Sequence, residues 1–387
     1  MKAYEDLSLF TPGPVNVPAR VLAAGARPML HHRTAEAAVL ITALVEKAKL
    51  LFATKQDILL VHTTGRGAME GTILNLLSPG DEIIAVCNGK FGEMYAEIAE
   101  THGVVVHRVC TDWLSSLNLD EIAQAFADHR KAKAITVCHN ETTTACLNDI
   151  KGVAQLAKKY GVLTMVDAVS SAGCVPIEFD EWQLDVLVTA SQKGLMAPPG
   201  LSLVVLSEAA WQAVDAARSP KFYIQFRDIQ KNLNGKRAET PGTTPMSLVA
   251  SVDEALTMIL AEGQESCYAR HELVAAGIRA GLEAMGLTLF PEGVAKRSPA
   301  LTAFTISPEA SAALRAELRA SFGIVVAGGL GKAYKDTVIR VGHMGHVYAK
   351  DALTIIAAIE ASLYNLGYSQ NLGQGVSACI REITGKG

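Results

Sequence analysis

The chain has 387 residues, with 35 lysines and arginines against 39 acidic residues and a formal net charge of -4 at pH 7. A content of 49% hydrophobic and 19% charged residues excludes a disordered chain. The lack of any lysine- or arginine-rich run excludes an electrostatic footprint for nucleic acid or an anionic membrane, so a small molecule is the expected partner.

The first twenty residues, MKAYEDLSLFTPGPVNVPAR, hold Pro12, Pro14 and Pro18 and read as an N-terminal arm without the apolar core of a signal peptide. From about residue 55 to 206, seven apolar runs follow: DILLVHTT, DEIIAVC, VVVHRV, KAITVC, VLTMVDAV, DVLVTA and LSLVVLS. Amphipathic stretches such as AMEGTILNLL, GEMYAEIAETHG and IKGVAQLAKKYG separate several of them. Continuous apolar strands joined by helix-length crossovers predict an α/β fold with a mostly parallel seven-stranded sheet covered on both faces. The last run follows too closely for a crossover and suits an antiparallel strand. After Pro245 a long helical segment runs to about Gly286, and then ALTAFTIS, GIVVAGG and TVIRVGH read as strands of a smaller α+β domain closed by the helix KDALTIIAAIEASLYNLG. A chain of this length exceeds one core, so the division expected is an arm at 1–20, a large domain at 21–250 and a small domain at 251–387. Seven scattered cysteines without a C-x-x-C pair, and no apolar run long enough to span a bilayer, point to the cytoplasm.

In parallel sheets, ligands bind beyond the carboxyl ends of the strands, so residues just after each run are the candidates. Lys193, alone among small and apolar neighbours in SQKGLMAPPG, is either a surface lysine or an amine whose pKa burial lowers until it is a nucleophile. Asp167 closes LTMVD, where a carboxylate needs a cationic or hydrogen-bonding partner. A protonated pyridine nitrogen is one such partner, and Asp with Lys at separate strand ends is the pair a pyridoxal phosphate site requires. TTGRGAMEGTILNLL offers backbone N–H groups at a helix start to an anion, without the spacing of a dinucleotide or Walker loop. Phe91 and Val169 suit the two faces of a flat ring. Arg340 suits either a bidentate grip on a carboxylate or an interdomain salt bridge. The His343-x-x-His346 pair and the cluster His31, His32 and Arg33 lack a third ligand at metal-binding spacing, and no metal is expected.

With LFTPGPVNVP, HHRT, TTGRGAMEGTILNLLSPGD, NGKFGE, HNETTTACLNDI, VDAVSSAGC, SQKGLMAPPGLS, TPGTTP, GGLG and IRVGHMG in view, the chain resembles the class V, fold-type I pyridoxal-phosphate aminotransferases, especially the alanine:glyoxylate and serine:pyruvate group. The resemblance implies that Lys193 carries pyridoxal 5'-phosphate covalently and Asp167 pairs with its ring nitrogen. Phe91 and Val169 would flank the ring and Thr142 would contact it. Thr64, Gly65, Arg66 and Gln192 would bind the phosphate, with Thr240 and Thr243 reaching in from a second subunit of a homodimer. Arg340 would hold the substrate carboxylate, assisted by the backbone near Gly13. The expected reaction is transamination between alanine or serine and glyoxylate or pyruvate, and aspartate, ureidoglycine and aminoethylphosphonate are alternative donors. A lyase or cysteine desulfurase is the weaker reading, because Phe91 stands where a desulfurase stacks a histidine and GGLG holds no cysteine. A non-catalytic partner subunit is opposed by the joint presence of Lys193, Asp167 and Arg340.

Overall fold

The computed structural model describes residues 7–293 and 296–385. The first six residues of the predicted arm, and residues 294–295 and 386–387 of the predicted small domain, lie outside the described residues.

The seven apolar runs form one sheet in the order Ile58–Val61, Ser202–Leu206, Val186–Ala190, Leu163–Asp167, Ala132–Cys138, Glu82–Val86 and Val105–Val109. Ser202–Leu206 is antiparallel to both its neighbours, whereas the other pairings are parallel. Residues 191–201 are too few for a crossover helix, so the chain turns back. Ile58–Val61, Val186–Ala190 and Ser202–Leu206 are buried at every position, as strands covered on both faces must be. Val105–Val109 is an edge strand and is largely exposed or half-buried.

A second sheet runs Ser8–Phe10, Ile324–Gly328, Val338–Gly342, Leu301–Thr305 and Thr288–Phe290. Two features that the sequence did not show appear here. The stretch read as an arm contributes Ser8–Phe10 as a strand parallel to Ile324–Gly328, a three-residue segment too short for periodicity to reveal. The single helical segment after Pro245 is two helices, Met246–Glu262 and Gln264–Ala284, broken at Gly263, whose φ of +85° leaves the helical region. The carboxyl ends of Ala132–Cys138, Leu163–Asp167 and Val186–Ala190 converge with the N-termini of helices Gly65–Leu76 and Lys90–Thr101 on one cavity.

Candidate active site

Lys193 lies in the turn that follows Val186–Ala190, and its Nζ donates to the carbonyl of Pro12. Burial lowers its pKa to about 8, against the pull of the Asp167 carboxylate and helped by the charge of Arg340. The amine is therefore mostly an ammonium at neutral pH and half neutral near pH 8, far below an ordinary lysine. Gly13, at φ +119°, lies against it so closely that an added Cβ would overlap the lysine side chain. The N-terminal segment thus covers Lys193, although it is distant in sequence.

Asp167 ends its strand with Oδ1 accepting from the Val169 N–H at 2.8 Å and Oδ2 facing the Cys138 thiol at 3.6 Å. Burial pushes this carboxyl above its ordinary range, opposed first by the Val169 N–H and then by the Cys138 thiol and Lys193. A cation placed against it would restore the ionised form.

Lys193 and Asp167 line a cavity of about 350 Å³ with Gly13, Thr64, Gly65, Arg66, Phe91, Thr142, Val169 and Gln192. The sequence-predicted residues are thus together, with three exceptions. Thr240 is buried elsewhere with its Oγ1 2.7 Å from Thr244 Oγ1, and Thr243 is exposed, so neither reaches the cavity of its own chain. Arg340 stands at the centre of Val338–Gly342 rather than at its end and does not line the cavity directly. Its Nε donates to Gly328 O at 2.8 Å and its Nη1 to Thr142 O at 3.1 Å. It therefore binds the carbonyl of Gly328 and that of the cavity-lining Thr142 rather than the carboxylate of an interdomain ion pair. Burial lowers its pKa to about 10, with Glu141 opposing, which leaves it a cation at neutral pH.

At one end of the cavity Thr64 caps helix Gly65–Leu76 without a side-chain cap bond, which leaves its hydroxyl and the first N–H groups for an anion. Thr142 Oγ1, Gln192 Oε1 and Asn140 Oδ1 line the same cavity, buried and without a hydrogen-bond partner. Buried polar atoms require partners, and a polar ligand held in the cavity would supply them. An anion cup, an amine of lowered pKa and a buried carboxylate around one apolar-walled space fit pyridoxal phosphate.

Sequence reasoning gave no role to Glu141, Cys138, Asn140 or Ser170. Glu141 is fully buried, and its Oε2 accepts from Phe91 N at 3.0 Å and Gly92 N at 3.2 Å while Oε1 accepts from Thr143 N at 2.9 Å. A carboxylate at the start of helix Lys90–Thr101 fixes the turn that presents Phe91. Asn140 Nδ2 bonds Ser170 O at 3.2 Å and Oγ at 3.0 Å, tying together the segments after two strands. The signal for Asn140, Glu141 and Ser170 was their place in HNETTT and DAVSS at strand ends, and for Cys138 its place as the last residue of its strand. His343 is absorbed structurally, with Nε2 2.8 Å from Thr302 Oγ1.

Residues 17–365 match the family model described as aminotransferase class-V, and the chain belongs to that family. Its members depend on pyridoxal phosphate. The chain is 36% identical over 380 residues to a protein named soluble hydrogenase, small subunit, from Synechococcus sp., covering 97% of this chain and 98% of that one. It is 35% identical over 378 residues to an L-aspartate--glyoxylate aminotransferase from Paracoccus denitrificans, covering 96% and 94%. Among solved structures it superposes on pyridoxamine-pyruvate aminotransferase from Mesorhizobium loti with a TM-score of 0.92 at 26% identity, over 98% of both chains.

Proposed function

We propose that this chain moves an amino group between alanine or serine and glyoxylate or pyruvate, using pyridoxal 5'-phosphate bound in the 350 Å³ cavity. The observation that carries the reading is Lys193, a buried amine with pKa about 8 on the same cavity as the buried carboxylate of Asp167. Lys193 would hold the cofactor, Asp167 would face its ring nitrogen, and Phe91 and Val169 would flank the ring. Thr142 would contact the ring, and Thr64, Gly65, Arg66 and Gln192 would take the phosphate. The bound cofactor supplies an electron sink for the charge left when a substrate proton departs. Lys193 Nζ, half neutral near pH 8, accepts the substrate Cα proton and returns it to the product side. Arg340 orients the substrate by its α-carboxylate, with the Gly13 backbone closing over it.

A small monocarboxylate acceptor is supported by the few cations that line the cavity. A second carboxylate buried without a cation costs several kcal/mol. Arg33 is already paired with Glu239 and Lys90 with Glu97, which leaves Arg66 as the cavity-lining cation beyond Lys193. The relative named for L-aspartate and the neighbour named for pyridoxamine keep other donors as the second reading. Lys193, Asp167 and Arg340 together support an enzyme despite the relative named as a hydrogenase subunit.

A homodimer follows from the same reading, with Thr240 and Thr243 completing the phosphate site of a second copy. Phe222 at 94% and Tyr223 at 73% exposure support a partner covering the segment that leads to these threonines. No helix among the described residues is long and apolar enough to cross a membrane, and seven free cysteines support the cytoplasm.

Borohydride reduction of the purified protein followed by peptide mapping tests the assignment. The cofactor is expected on Lys193, and a label elsewhere, or none with full transaminase activity, would overturn it. A donor-by-acceptor panel then names the substrates.

A further inference from the structure

The parallel ladder between Glu82–Val86 and Val105–Val109 sets Val86 opposite Val109. One residue on, Cys87 N donates to Val109 O at 2.8 Å, the bond that places Cys87 opposite Cys110. Registered residues on neighbouring strands lie about 4.8 Å apart with side chains on one face, inside the Cα separation of about 4.4–6.8 Å that a disulfide spans. The Cys110 thiol lies near enough to help raise the pKa of the Cys87 thiol, after burial. Cys110 is exposed, whereas Cys87 and the remaining cysteines are buried.

The face they share is the one under helix Lys90–Thr101. Cys87 packs on Ala96 of that helix, and Arg108, two residues before Cys110, bonds Glu100 at its far end with Nη2 to Oε2 at 2.8 Å. The first turn rests directly on the strand: a Cβ at Gly92 would overlap the Val86 carbonyl. Phe91 belongs to this turn, so a shift at Cys87 has no slack to absorb it before the cavity wall.

We infer that Cys87 and Cys110 are a dithiol site that an oxidised low-molecular-weight thiol closes to a disulfide, displacing the turn that presents Phe91. Cys110 reacts first because, of the two, it alone is accessible. Its thiolate displaces one thiolate from the oxidant, leaving a mixed disulfide. The Cys87 sulfur, after giving its proton to solvent, attacks the Cys110 sulfur and displaces the second. The two cysteines lose two electrons and two protons, and one oxidant disulfide becomes two thiols. Burial pushes the Cys87 thiol up to about 12, so the second step waits on opening of the edge strand and is the slow one.

The test incubates the full-length, cofactor-loaded protein at graded ratios of oxidised to reduced glutathione, alkylates it in denaturant and maps peptides without reduction. A Cys87–Cys110 linked peptide is expected, with five rather than seven alkylatable thiols. Dithiothreitol should reverse it, and Cys110→Ser should abolish it with the fold unchanged by circular dichroism. A glutathione adduct persisting on Cys110 beside an alkylatable Cys87 would overturn the site. The coupling to Phe91 rests on the aminotransferase reading and predicts a several-fold, dithiothreitol-reversible fall in kcat/KM that Cys110→Ser lacks. A linked protein with unchanged kcat/KM would overturn that coupling. The peptide map needs no turnover, so failure of the site and failure of the proposed activity are told apart.

Discussion

Replacing Lys193 by methionine separates what burial costs this lysine from what it contributes. In the cofactor-free protein, burial moves the amine from an ordinary pKa of 10.5 to about 8. At about 1.4 kcal/mol per pKa unit, the native state at neutral pH carries a penalty of about 3 kcal/mol for holding the ammonium. Methionine has similar length and no charge, but it strands the Pro12 carbonyl, a loss of about 1–2 kcal/mol. Lys193→Met should therefore be about 1–2 kcal/mol more stable than the wild type near pH 7. The sign with pH follows from proton counting. Between about pH 8 and 10.5 the unfolded chain binds a proton that the native chain has released, so the wild type gains stability as pH rises. Methionine does not titrate. The advantage of the variant should thus shrink by about 3 kcal/mol across that window and reverse at its upper end. Urea unfolding of both cofactor-stripped proteins, at one protein concentration and several pH values, measures the difference while other titrations cancel. A difference that stays flat from pH 7 to 10.5 would refute the reasoning. The same variant should have no transaminase activity.

Glu141→Gln keeps the shape but weakens the bonds to the N–H groups of Phe91, Gly92 and Thr143; thermal unfolding should show a loss of about 1–3 kcal/mol, and spectroscopic titration a weaker affinity for pyridoxal phosphate. Arg340→Lys cannot hold two carbonyls and a carboxylate with one planar fork, so steady-state kinetics should show KM for the amino acid rising by about tenfold or more with a smaller change in kcat. Glyoxylate and pyruvate should exceed oxaloacetate and 2-oxoglutarate in kcat/KM at a fixed donor. If 2-oxoglutarate leads in the wild type and loses its lead in Arg66→Ala, then Arg66 is a second carboxylate clamp and the monocarboxylate reading is wrong.

The local physics of the large sheet is written in the sequence. Runs such as DVLVTA and LSLVVLS are apolar throughout because both faces of their strands are covered, and helix-length spacing forces parallel neighbours. Where spacing is short, at residues 191–201, it forces the one antiparallel strand. Lys193 and Asp167 were legible for a related reason: a charged side chain closing an apolar strand stands out against its neighbours. Helix ends set by one glycine, as at Gly263, and strands as short as Ser8–Phe10 were not, because a few residues carry no measurable period.

What the chain's order determined, then, was the strand-end positions from which chemistry can be offered. Tertiary structure decided which of them meet and in what state. It laid Gly13 and Pro12 over Lys193 and turned the mid-strand Arg340 onto carbonyls from two segments. It also sank Glu141 under the turn that carries Phe91. Each depends on contacts between residues far apart in sequence, and the lowered pKa of Lys193 depends on the water those contacts exclude. Periodicity reports the environment along one element; desolvation and partner choice arise only when elements pack.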